Sequence, residues 1–170
     1  AVVRRFRRML TAVQVVAVVS GAVPVSTFLA QLVPWWSAGR PMLALNAVII
    51  GFAVLIAGLA FAGPWRRHVL GPLTVVAGVS SLTLLIDVMT GSHLQVNAVT
   101  GYEPVTGGRF YGFGNIAFAV FATGTILFLA GLWRLRGGLL RPVVLGYALF
   151  AIVVDGWPGW GADFGGVPSF

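Results

Sequence analysis

The 170-residue chain has no cysteine, no lysine and only four acids. Without cysteine there is no disulfide framework, no thiolate metal site and no Cys nucleophile. Charged residues make up 9% of the chain, against roughly 25% in an average soluble domain. So few charges cannot clothe a soluble fold of this size. What is present instead is apolar: 58% hydrophobic residues and a mean hydropathy of +0.95. The 23 glycines and 9 prolines are scattered among long apolar runs, and membrane helices tolerate both residues. The chain therefore reads as an all-α integral membrane protein. All 11 basic residues are arginine, and Ala, Val, Gly and Leu dominate the rest, the bias of a GC-rich genome. The net charge of +7 comes from short arginine clusters between apolar segments. Topology explains them better than a nucleic-acid partner, and none is expected.

Apolar runs long enough to cross roughly 30 Å of hydrocarbon fall at about residues 9–33, 42–63, 69–90 and 113–133. A fifth, shorter run covers about residues 143–157, so the expected fold is a single bundle of about five transmembrane helices. With the N-terminus cytoplasmic, nine arginines lie inside: Arg4, Arg5, Arg7, Arg8, Arg66, Arg67, Arg134, Arg136 and Arg141. Only Arg40 and Arg109 then lie outside, which satisfies the positive-inside rule and makes the C-terminus extracytoplasmic. A multi-pass protein of the bacterial plasma membrane is the expected setting. The first run lacks a small-residue cleavage site after it and reads as an uncleaved helix. The chain starts at Ala1 and stops after a glycine-rich exit, so it is expected to be an excerpt of a longer one.

Polar residues within spans cost roughly 2.5–3.5 kcal/mol for a central Asp or Arg, so their placement carries information. Ser80, Thr83 and Asp87 are spaced to share one helical face, and Gln31, Asn46 and Asn115 sit near the same expected depth. Together they suggest a polar cavity opening outward. Against this, Asp87 lies close enough to its helix end to reach water, and each amide alone fits an interhelical hydrogen bond of about 0.6 kcal/mol. The pairs Ala47/Gly51, Ala53/Ala57 and Ala77/Ser81 suit close helix packing.

An outer loop over residues 91–112 holds His93, Gln95, Asn97, Tyr102 and Glu103. It ends in Gly107-Gly108-Arg109-Phe110-Tyr111-Gly112-Phe113-Gly114-Asn115 at the start of a span. Glycines with an arginine at a helix start suit a phosphate or carboxylate; equally, Arg109 can pair with Asp87 or Asp163. Gly112-x-Gly114-x-x-Ala117 mimics a dinucleotide fingerprint, but no strand precedes it. A second dense stretch runs from Asp155 to Gly166, where an Asp between glycines can approach a ligand or cap a helix. His93, Glu103, Asp87, Asp155 and Asp163 have no metal-ligand spacing, and Ser92 lacks a nucleophile elbow. No metal and no cofactor are expected.

Gly108-Arg109-Phe110-Tyr111-Gly112-Phe113-Gly114-Asn115, followed by Trp160-Gly161-Ala162-Asp163-Phe164-Gly165-Gly166, resembles a poorly characterised group of bacterial, mainly actinobacterial, polytopic membrane proteins. The resemblance runs from about Asp87 to Gly166. It implies that both motifs belong to one site, and it names no substrate. Longer proteins of that group carry an exported domain resembling alkaline phosphatases; these 170 residues hold no such domain, so that chemistry does not transfer.

Three functions compete. The first is a module that binds or transports an anionic or lipid-linked cell-envelope molecule through Arg109, Tyr111, Asn115, Asp163, Asp87 and Asn97. The second is a membrane anchor or scaffold for an exported domain or partner helices. The third is an envelope-assembly enzyme acting on a phosphate-bearing lipid, with Asp163 or Asp87 as general base. No base and nucleophile pair is evident, so the binding module ranks first and catalysis stays open.

Overall fold

The computed structural model describes residues 2–102, 111–136, 141–163 and 166–169. Among the described residues five α-helices follow one another: α1 (Val2–Leu29), α2 (Pro41–Ala62), α3 (Gly71–Met89), α4 (Asn115–Arg136) and α5 (Arg141–Gly156). Among the described residues there is no strand, only an isolated bridge between Val96 and Tyr102. Pro41 and Pro72 stand in the first turns of α2 and α3, where a missing N–H costs nothing. Pro24 instead lies inside α1 and leaves the carbonyl four residues earlier without its helical donor. Thr27 Oγ1 donates to the Pro24 carbonyl at 2.7 Å, and Ser26 Oγ to that of Ala22 at 2.7 Å.

Among the described residues four segments are long and apolar enough to cross a membrane: Met9–Leu32, Pro41–Ala62, Gly71–Met89 and Asn115–Arg134. They match the first four expected spans within two residues. The fifth helix exists, but its 16 residues extend about 24 Å, short of a roughly 30 Å core.

Helix α3 is the hub. In its apolar window 61% of residues are buried, against 22% in α2. Its tightest partner is α4, because glycines remove the side chains that would hold the two apart. A Cβ on Gly78 would come within 2.8 Å of the Phe128 ring, and one on Gly124 within 3.1 Å of the Ala77 carbonyl. Gly131 lies against Thr74 in the same seam. The hydroxyl of Ser81 meets Thr125 Oγ1 at 2.7 Å and Tyr147 Oη at 2.6 Å, so α3, α4 and α5 share one polar knot.

Of the three small-residue pairs, Ala53/Ala57 packs against α1 and Ala77/Ser81 against α4. Ala47/Gly51 does not pack: both are exposed on α2, and a Cβ on Gly51 would meet nothing within 4 Å. Gln14 Nε2 donates to the Val69 carbonyl at 2.8 Å, which sets the first half of α1 beside the start of α3. At the opposite end the Thr27 hydroxyl bonds that of Thr100. The bundle thus has a loop end, where residues 91–102 and 111–114 lie, and an arginine end.

Candidate functional site

The loop end is built outward from Asp87, in the last turn of α3. Gly91 (φ +105°) and Ser92 (φ +60°) turn the chain back immediately after that helix, so the loop descends over it. Asp87 Oδ1 accepts the Leu94 N–H at 2.7 Å, Oδ2 accepts Gln95 Nε2 at 3.1 Å, and its main-chain carbonyl accepts the Ser92 N–H at 2.7 Å. The carboxylate is buried and does not reach water as its position near the helix end suggested. Both of its oxygens are used inside the protein.

Gln95 passes the connection on. Its side chain is fully buried, and its Oε1 accepts the Gly114 N–H at 3.1 Å. Ser92 Oγ accepts the Gly112 N–H at 3.0 Å. The two ends of the loop are therefore joined through two side chains, and the backbone that starts α4 is fixed to the end of α3. Phe113 completes the anchor: it is buried, with its ring stacked on Phe121 at 4.7 Å.

The two glycine-rich stretches meet here. The Phe113 N–H donates to the Gly161 carbonyl at 2.9 Å, and the Gly161 N–H donates to the Val154 carbonyl at 2.9 Å. Glycine is required at both contact points. Gly112 has φ +89°, and a Cβ on it would lie 2.5 Å from the Gly161 carbonyl; one on Gly161 would overlap the Asp155 backbone. Comparison with family models, with curated proteins and with solved structures finds no match.

Asp155 is fully buried, and neither carboxylate oxygen has a hydrogen-bond partner among the described residues. Its main-chain carbonyl accepts the Asp163 N–H at 3.1 Å. Gly166 covers it so closely that a Cβ there would stand 2.9 Å from Oδ2. Asp163 is half-buried beside it.

Tyr111 is 52% exposed, and Asn115 is exposed as the first residue of α4. Asn97 is exposed with φ +58°, and its carbonyl accepts Gln31 Nε2 at 3.3 Å. Arg109 and Glu103 lie outside the described residues. Asn46 does not join this end's polar groups: its Nδ2 donates to the Met42 carbonyl of its own helix at 2.8 Å. A cleft of about 290 Å³ does open here, lined by Thr83, Asp87, Thr90 and His93 with Leu32, Ile86 and Leu94. Among the described residues no three His, Asp or Glu side chains gather as metal ligands.

Sequence reasoning missed the structural weight of Gln95 and Ser92. The signal was present but weak: a polar pair five and eight residues after an Asp at a helix end can return to cap it. Which groups they meet depends on a backbone turn that composition does not reveal: Gln95 reaches the Asp87 carboxylate, whereas Ser92 Oγ meets Gly112.

Proposed function

We propose that this chain is a multi-pass protein of the bacterial plasma membrane, with its arginine end cytoplasmic, which binds an anionic or lipid-linked cell-envelope molecule at its outward-facing loop end. One observation carries this function: side-chain and backbone hydrogen bonds tie down Gly112, Phe113 and Gly114 before α4 yet leave Tyr111 and Asn115 exposed, with no side-chain hydrogen bond among the described residues. Preorganised donors bind with less ordering cost than mobile ones. In sequence, Arg109 stands two residues before Tyr111 and supplies the cation an anionic group needs. Asp163, in the stretch that meets Gly112 and Phe113, is suited to hydroxyl groups of the same ligand.

A scaffold function is the second reading, favoured by the fact that Asp87, Ser92 and Gln95 bond the protein's own backbone or one another. Native mass spectrometry of the detergent-purified protein separates the two. Binding predicts a co-purifying lipid or glycolipid that Arg109→Ala and Asn115→Ala lose with the melting temperature unchanged. An adduct-free parent, with Arg109→Ala destabilised, would make the loop end structural and favour the scaffold.

A further inference from the structure

A hollow of about 480 Å³ runs along α4 from Ile116 to Leu127, between α1 and α3. Gly21, Ala77 and Gly124 supply no bulk to fill it, and the lining is apolar apart from the hydroxyls of Ser80 and Thr123. The Ser80 hydroxyl is already satisfied by the Val76 carbonyl at 3.0 Å. Of the lining residues of α1 and α4, Ala17, Gly21, Ile116, Ala119, Thr123 and Leu127 are exposed. Both helices are long and apolar enough to cross a membrane, so the hollow opens sideways onto hydrocarbon and not onto water.

Its dimensions define its occupant. At 1.5 Å per residue the stretch from Ile116 to Leu127 is about 16 Å long, close to half of a roughly 30 Å hydrocarbon core. On α4 the hollow begins at Ile116, beside exposed Asn115, and on α3 its lining runs from Ser80 to Leu73, near the arginine end, so it extends past the middle of the bundle. A volume of 480 Å³ equals about sixteen units of water size, at roughly 30 Å³ each, and a methylene is of similar bulk. That is room for one chain and not two.

We propose that this groove seats a single hydrocarbon chain of a lipid from the leaflet at the loop end, with the lipid headgroup beside Asn115 and Tyr111. The inference rests on the loop-end binding function and narrows its ligand to a lipid-linked molecule. Because the chain leaves one apolar medium for another, no hydrophobic gain drives it in. Retention comes from the fit of one chain to the hollow and from polar contacts to the headgroup.

The test uses the purified protein reconstituted with phosphatidylglycerol bearing a photoactivatable group midway along one chain, with labelled peptides mapped by mass spectrometry. Labelling is expected to concentrate in residues 17–24 and 116–127. Gly21→Leu fills the hollow without disturbing the backbone, since the nearest atom to a Cβ there is Val76 Cγ1 at 3.5 Å. Gly21→Leu and Ala119→Phe should each cut this labelling several-fold with the melting temperature retained. Labelling spread evenly over the exposed faces of α2 and α4, or unchanged by both substitutions, would overturn the groove. So would protection of residues 17–24 by a second copy of the chain. If the groove fails while the parent still carries an adduct sensitive to Arg109→Ala, the loop-end function stands alone. If no adduct forms either, both fall.

Discussion

Helix α2 and the loop end both contain glycines, yet these glycines do opposite things. A Cβ on Gly51 or Gly58 of α2 would meet nothing within 4 Å, whereas one on Gly161 would overlap the Asp155 backbone and one on Gly101 the Gln95 carbonyl. The same contrast runs through the polar residues. Asn46 of α2 bonds only its own helix, while Asp87, Ser92 and Gln95 each join segments distant along the loop. Helix α2 is an apolar rod with one face on α1 and the other exposed. The loop end is a hydrogen-bonded assembly in which backbone meets backbone, and a binding surface needs that kind of fixed geometry.

Substitutions can break this comparison at either side. The largest effect is expected from Gly161→Ala, whose methyl has no room against Asp155. Overpacking of this kind costs about 3 kcal/mol or more, read as a large drop in melting temperature or loss of the monodisperse folded protein. A parent-like melting temperature would show that the two stretches do not touch. Gln95→Ala comes next: it strips a buried carboxylate of one donor and leaves the Gly114 N–H unpaired, at about 3 kcal/mol. Gly51→Ala gives the smallest change. It should leave stability within about 1 kcal/mol, with a gain favoured because alanine is the better helix former. A marked loss there would mean that the exposed face of α2 is covered.

Much of the fold is legible in the residues themselves. Hydropathy alone locates four spans within two residues, since crossing hydrocarbon demands length and apolarity and little else. The fifth helix was readable, but its 16 residues made its role as a span a matter of length. Glycine spacing was a poorer guide: Ala77/Ser81 and Ala47/Gly51 look alike in sequence, and only the former faces a neighbour, because which face of a helix is covered depends on its partners. At the site, residues 112–113 meet Gly161 through backbone, a contact that depends on the turn at Gly112. That Asp87 is consumed by Gln95 and Leu94 was hidden, since it depends on the positive φ angles of Gly91 and Ser92. The unpartnered burial of Asp155 is not legible from the residues around it.

The central claim is that the loop end is a fixed platform and not a mobile connection. Amide hydrogen exchange of the purified protein tests it most directly, because protection reports local opening. The account predicts that the amides of Leu94, Gly112, Gly114 and Gly161 exchange as slowly as those in the middle of α3, and that Gln95→Ala releases Leu94 and Gly114 while α3 stays protected. Fast exchange at these four amides in the parent would contradict it and leave Tyr111 and Asn115 without a fixed support.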